Sequence, residues 1–162
     1  MAINAIEPTS DLIITVHNEA ELDAAYDVLS KTPGGGTILL GEHEDDDGSY
    51  RLYERGGYTT NSHEPIVIKS EDPEDPAPFR WISLRDVENI RLENILVEPG
   101  AYGNGGSPLL VQGSTNIQIV DSTFIGTAEK MALVSEDKTM SMGTIRESQD
   151  IIFSGNTVEK FW

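Results

Sequence analysis

The chain has 162 residues, a length at which a single domain can bury a core. Its 28 acidic and 11 basic residues give a net charge of −17, a field that repels phosphate backbones and sets nucleic-acid binding aside. There is no cysteine, so nothing is stapled, and no window is apolar and long enough to span a bilayer. The acidity reads as solubility or as cation binding.

Met1–Ser10 lacks the basic start and long apolar run of a secretory signal. Leu12-Ile13-Ile14-Thr15-Val16 is the first strand candidate, rich in β-branched residues. Asn18 then caps a predicted helix, with Glu19 and Glu21 in its first turn, where the helix dipole favours negative charge. Leu22, Ala25, Tyr26 and Leu29 fall on one stripe of it, and Pro33-Gly34-Gly35-Gly36 stops it. Because these glycines follow a helix rather than open one, they make a turn and not a phosphate loop. Thr37-Ile38-Leu39-Leu40 is the strand that leaves the turn.

Residues 41–65 are polar and irregular, with one short strand candidate at Tyr50-Arg51-Leu52-Tyr53. Within them, His43, Asp45, Asp47, Gly48 and Glu54 approach the spacing of an EF-hand calcium loop, making calcium the cofactor to expect. His43 stands where the first carboxylate belongs, and a solvated acidic loop explains the same residues. Pro65–Ser70 is the next inward strand, and the Pro-rich acidic stretch Glu71–Pro78 is an exposed corner.

From Trp81 onward one 14-residue template recurs, beginning at Leu84, Val111 and Ile145. Its apolar positions coincide: Leu84, Val111 and Ile145; Ile90, Ile117 and Ile151; Leu92, Ile119 and Phe153; Val97, Phe124 and Val158. The anchoring isoleucines are 27 and then 34 residues apart, so a constant core would carry insertions at one corner. Asn, Asp and Gly precede each apolar pair, as tight corners between short strands require. A β-sandwich of antiparallel strands is the competing arrangement, but its strands have no reason to share a template.

This pattern resembles the right-handed parallel β-helix of bacterial polysaccharide lyases and epimerases, over residues 81–162 and more loosely upstream. The resemblance implies an all-β, right-handed parallel β-helix (a solenoid) of about four to five coils with an N-terminal amphipathic capping helix. One domain over 1–162 is expected: strand and cap in 1–40, irregular first coils in 41–80, and three regular coils in 81–162. It also implies an extracellular or cell-surface setting.

Function is less legible. His63-Glu64 shares its residues with the end of the Asp-Pro-His-Glu motif of mannuronan epimerases but lies near the N-terminal end, not on central coils. Arg85, Gln112 and Arg146 recur at one template position, with Asp86 and Glu147 beside two of them, and a side-chain ladder accounts for them. No catalytic residue is assigned. The reading is a non-enzymatic structural or interaction solenoid. It would associate with itself, as an end-to-end dimer or filament, through an uncapped C-terminal coil that ends in Phe161 and Trp162. Two alternatives stand beside it: the N-terminal part or a small relative of a polysaccharide lyase or epimerase acting on uronate polymers, and a calcium-binding surface module.

Overall fold

A computed structural model describes residues 4–44, 48–52, 63–98, 108–126 and 142–160. Its strands are β1 (Ile13–Val16), β2 (Gly36–Leu40), β3 (Tyr50–Leu52), β4 (Ile66–Ser70), β5 (Ala77–Arg85), β6 (Glu88–Glu93) and β7 (Ile95–Val97). They continue with β8 (Leu109–Gln112), β9 (Thr115–Val120), β10 (Thr123–Ile125), β11 (Gly143–Arg146), β12 (Gln149–Ser154) and β13 (Thr157–Glu159). One helix, α1 (Glu19–Ser30), lies between β1 and β2.

All strand pairs are parallel and fall into two sheets. The first runs β1-β2-β4-β6-β9-β12 and the second β11-β8-β5-β7-β10-β13, with β3 also on β5. Alternation along the strands sends Ile38, Ile68, Ile90, Ile117 and their like into one shared core.

The expected right-handed parallel β-helix of four to five coils is corrected by this topology. Three separate strand faces per coil would make a repeating prism; the protein instead has two parallel sheets, one curled into a half-barrel. In the second sheet β5 is nine residues long and begins at Ala77, within the stretch Glu71–Pro78 expected as an exposed corner. Its first part pairs with β7 (Phe79 with Val97) and its last part with β8 (Leu84 with Val111). Between them the pairing with β3 slips in register after Tyr50, a bulge that bends the strand without ending it. Solenoid and repeat descriptions therefore give way to a compact parallel-sheet fold. The template columns are in register all the same: Ile90 pairs with Ile117 and Ile117 with Ile151, and Val97 pairs through Phe124 with Val158. Such stacking belongs to any parallel sheet and does not by itself make a coil.

Left-handed backbone turns the chain between strands at Asp86, Asn94, Asp121 and Glu147, and recurs at the second residue of β6, β9 and β12, Asn89, Asn116 and Asp150. Gly113 (φ 60) takes the same place below Asp86, where a Cβ would run into the Asp86 carboxylate. Layers are also tied through side chains. Ser114 Oγ accepts from Val87 N at 3.3 Å, and Ser114 N donates in turn to Ser148 Oγ at 3.1 Å.

The two ends of the stack differ. At the first, Asn18 Oδ1 accepts from Glu21 N at 2.9 Å to start α1, whose Leu22, Ala25, Tyr26 and Leu29 are buried against the core beside β2 and β3. Glu64 Oε2 accepts from Gly34 N at 2.7 Å and fixes the turn that ends the helix. At the last, β11, β12 and β13 are each paired on one side only among the described residues.

Candidate functional site

The sequence candidates that lie among the described residues do not form one site. His43 is half-buried, its ring edge-on to Tyr50 with centroids 4.7 Å apart, whereas Asp45, Asp47 and Glu54 lie outside the described residues. Among the described residues no group of three or more His, Asp and Glu is placed to hold a metal ion. His63 Nδ1 is 2.7 Å from Glu88 Oε2 on the surface, while Glu64 is occupied with Gly34, so the pair faces no common groove. Arg85, Gln112 and Arg146 do align: Arg146 Nη2 donates to Gln112 Oε1 at 3.0 Å, and Gln112 Nε2 donates to Glu147 Oε2 at 3.3 Å. That is a ladder along a solvated face. Phe161 and Trp162 also lie outside the described residues.

No sequence pattern around Tyr50 announces its role. Its ring is fully buried, and its hydroxyl lies 2.9 Å from Val16 O and 2.8 Å from Gly41 O, one proton shared between two strand-end carbonyls. Burial, reinforced by Glu21, Glu44 and Glu71, holds this phenol far above its ordinary range. It is a tie between β1, β2 and β3, since both its neighbours are backbone carbonyls.

The feature with functional content is the last layer. Leu84 and Val111 are buried, but Ile145 in the same column is 47% exposed. Leu92 and Ile119 are buried, but Phe153 is 37% exposed; Val97 and Phe124 are buried, but Val158 is 45% exposed. Core-type residues therefore reach solvent beside three strand edges that are unpaired among the described residues, and Phe153 still packs against Phe124, ring centroids 5.4 Å apart. Charge is nearly balanced in this layer, with Arg146 and Lys160 against Glu147, Asp150 and Glu159. The opposite end carries Asp11, Glu19, Glu21, Asp23 and Asp27 against Lys31 and Arg51. It also exposes apolar residues, Leu12, Ile13 and Val28.

Among the described residues no helix is long and apolar enough to cross a membrane. No family model, no curated protein and no solved structure matches the chain.

Proposed function

We propose that this protein is a non-enzymatic interaction module that pairs with a second copy of itself through the open edges of β11, β12 and β13. The observation carrying this reading is the exposure of Ile145, Phe153 and Val158 in columns whose other members are fully covered. Covering side chains of this size contributes on the order of 1 kcal/mol each when about half of their surface is already hidden. Three parallel edges would gain hydrogen-bond partners at the same time.

Charge favours a closed pair over a filament. A head-to-tail contact would bring the layer against the acidic, helix-covered end of the next copy, whereas last layer on last layer joins two nearly neutral faces. A two-fold pair buries both open ends and stops there.

Light scattering on a sizing column, from micromolar to several hundred micromolar protein, tests the reading. The expected mass is twice the 17.7 kDa of the chain at the upper concentrations. Val158→Lys with Ile145→Lys should return it to one chain, and Ile13→Lys at the opposite end should not. A single-chain mass at every concentration refutes the proposal. Mass growing beyond two chains and abolished by Ile13→Lys points to the filament instead.

A further inference from the structure

The outer face of the six-stranded sheet breaks the alternation rule. Ile66 and Ile68 of β4 point into the core, as do Ile117 and Ile119 of β9, so Val67, Gln118 and Val120 must point away from it. Such outward positions are usually wet, yet Val67 is 7% exposed, Gln118 1% and Val120 8%. A segment far away in sequence is bonded to this face. Ile6 N donates to Gln118 Oε1 at 2.9 Å, and Gln118 Nε2 donates to Asn4 O at 2.9 Å. Ile6 is buried at 6% exposure, while its neighbours Asn4, Ala5 and Glu7 are exposed.

The clasp is directional. A side-chain amide that accepts from the N–H of one residue and donates to the carbonyl two residues earlier reads an extended main chain and ignores the side chain between. Its orientation is fixed from the other side. Arg91, the register partner of Gln118, donates from Nη1 to Gln118 Oε1 at 2.9 Å and from Nε to Glu93 Oε2 at 2.9 Å. Because a guanidinium only donates, Oε1 must face it and Nε2 is left for the carbonyl of Asn4. The segment then reaches back to the glycine turn, where Thr9 N and Ser10 N donate to Gly34 O at 3.0 and 3.2 Å. Strands about 4.8 Å apart put three steps between β2 and β9, a distance that the five or six residues from Asn4 to Thr9 cover when extended. The strap thus crosses the sheet instead of joining it, and one apolar anchor and one amide clasp hold its far end.

We propose that the Gln118 face is a docking site for an extended peptide, recognised by its main chain and one aliphatic side chain, and that Asn4–Ile6 occupy it as an intramolecular competitor. The site takes a segment of the chemistry already seated on it: an extended backbone, a branched aliphatic residue in the place of Ile6, and no requirement at the residue before. A tethered occupant competes at an effective concentration in the millimolar range, so a free peptide gains the site only when the strap is weakened.

Fluorescence anisotropy with a labelled, N-acetylated peptide of residues 4–10 tests this on the full chain. The wild-type protein should bind it at least tenfold more weakly than Ile6→Asp, whose own anchor cannot enter the apolar site. Gln118→Glu in the Ile6→Asp background should lose tenfold or more, because a carboxylate keeps its bond to Arg91 but faces the peptide carbonyl as a second acceptor with no proton between them. If Ile6→Asp does not fold, hydrogen exchange decides: the Ile6 amide in the otherwise wild-type chain should exchange at least tenfold faster in Gln118→Ala. No binding to folded Ile6→Asp, equal binding by the Gln118 variant, or an unchanged Ile6 exchange rate would each overturn the assignment. So would a two-chain mass lost specifically in Ile6→Asp, which would make a second copy the donor of the strap.

Discussion

The first and last layers of this protein are built from the same kinds of residue and meet different fates. Under the first, α1 places Leu22 and Leu29, both fully buried, against the end of the core and leaves its acidic face to water. Over the last, nothing among the described residues lies on Ile145, Phe153 and Val158, although their columns are apolar throughout. An amphipathic helix covers an open stack without adding another edge; a bare layer of strands passes the same need on to whatever it meets. The difference lies in the cover and not in the strands.

The largest effect that should separate the two regions is core truncation. Ile117→Ala, inside the stack, should cost about 2–5 kcal/mol, and Val158→Ala, in the last layer of a single chain, less than about 1 kcal/mol. Urea midpoints at low protein concentration measure both, and equal losses would mean the last layer is covered even in the single chain.

Next come the two buried tyrosines of the covered end. Tyr50→Phe removes the hydroxyl between Val16 O and Gly41 O and should cost about 1–3 kcal/mol by the same denaturation. Tyr26 Oη has no hydrogen-bond partner among the described residues, so Tyr26→Phe should be neutral or stabilising. Burial pushes the Tyr26 phenol from 10.0 up to about 12. Below pH 10 both folded and unfolded chains keep this proton and its contribution is complete; between 10 and 12 the unfolded chain loses it first, so stability falls as pH rises. Tyr26→Phe should shrink that alkaline loss by on the order of 1 kcal/mol, measured from urea midpoints at pH 8 and 11.

Smaller effects probe the caps and the field. Asn18→Ala should cost about 1 kcal/mol by stripping the start of α1. Lys31→Ala, which breaks an exposed pair with Asp27 at 2.7 Å, should cost less than about 0.5 kcal/mol. Raising salt from 0.05 to 0.5 M should tighten association of the two copies, since it screens a net charge of −17 on each. Weakening instead would place attractive ion pairs in the junction.

Local signals in the sequence were strong where one residue type answers one backbone demand. Asn18 with Glu19 and Glu21 marked the start of α1, the glycines after Pro33 marked its end, and the four template columns are the register seen in β8, β9 and β10. What misled was the Pro-rich stretch Glu71–Pro78, read as a corner to its end: β5 begins inside it at Ala77, pairs at Pro78 and runs unbroken to Arg85. A bulge lets β5 bend and go on pairing, and no residue type there announces continuation instead of a break. Similarity to a coil template therefore exceeded what the topology supports. The clasp at Gln118 was also missed, although it left a trace: Ile66-Val67-Ile68 and Ile119-Val120 carry apolar residues where alternation asks for polar ones, a sign that the outer face is covered. Its partner is more than a hundred positions away, and nothing near residue 118 names it.

The glycine under each aspartate sets a direction for building. Asp86 leans over Gly113 and Asp121 over Gly155, each carboxylate filling the volume a Cβ would need. Duplicating the segment from β8 to β10 to lengthen the protein would set Asp121 upon a second aspartate and lose the hole it fits. Any strand laid over either aspartate must therefore bring a glycine to that corner, since the Cβ of another residue would collide with the carboxylate.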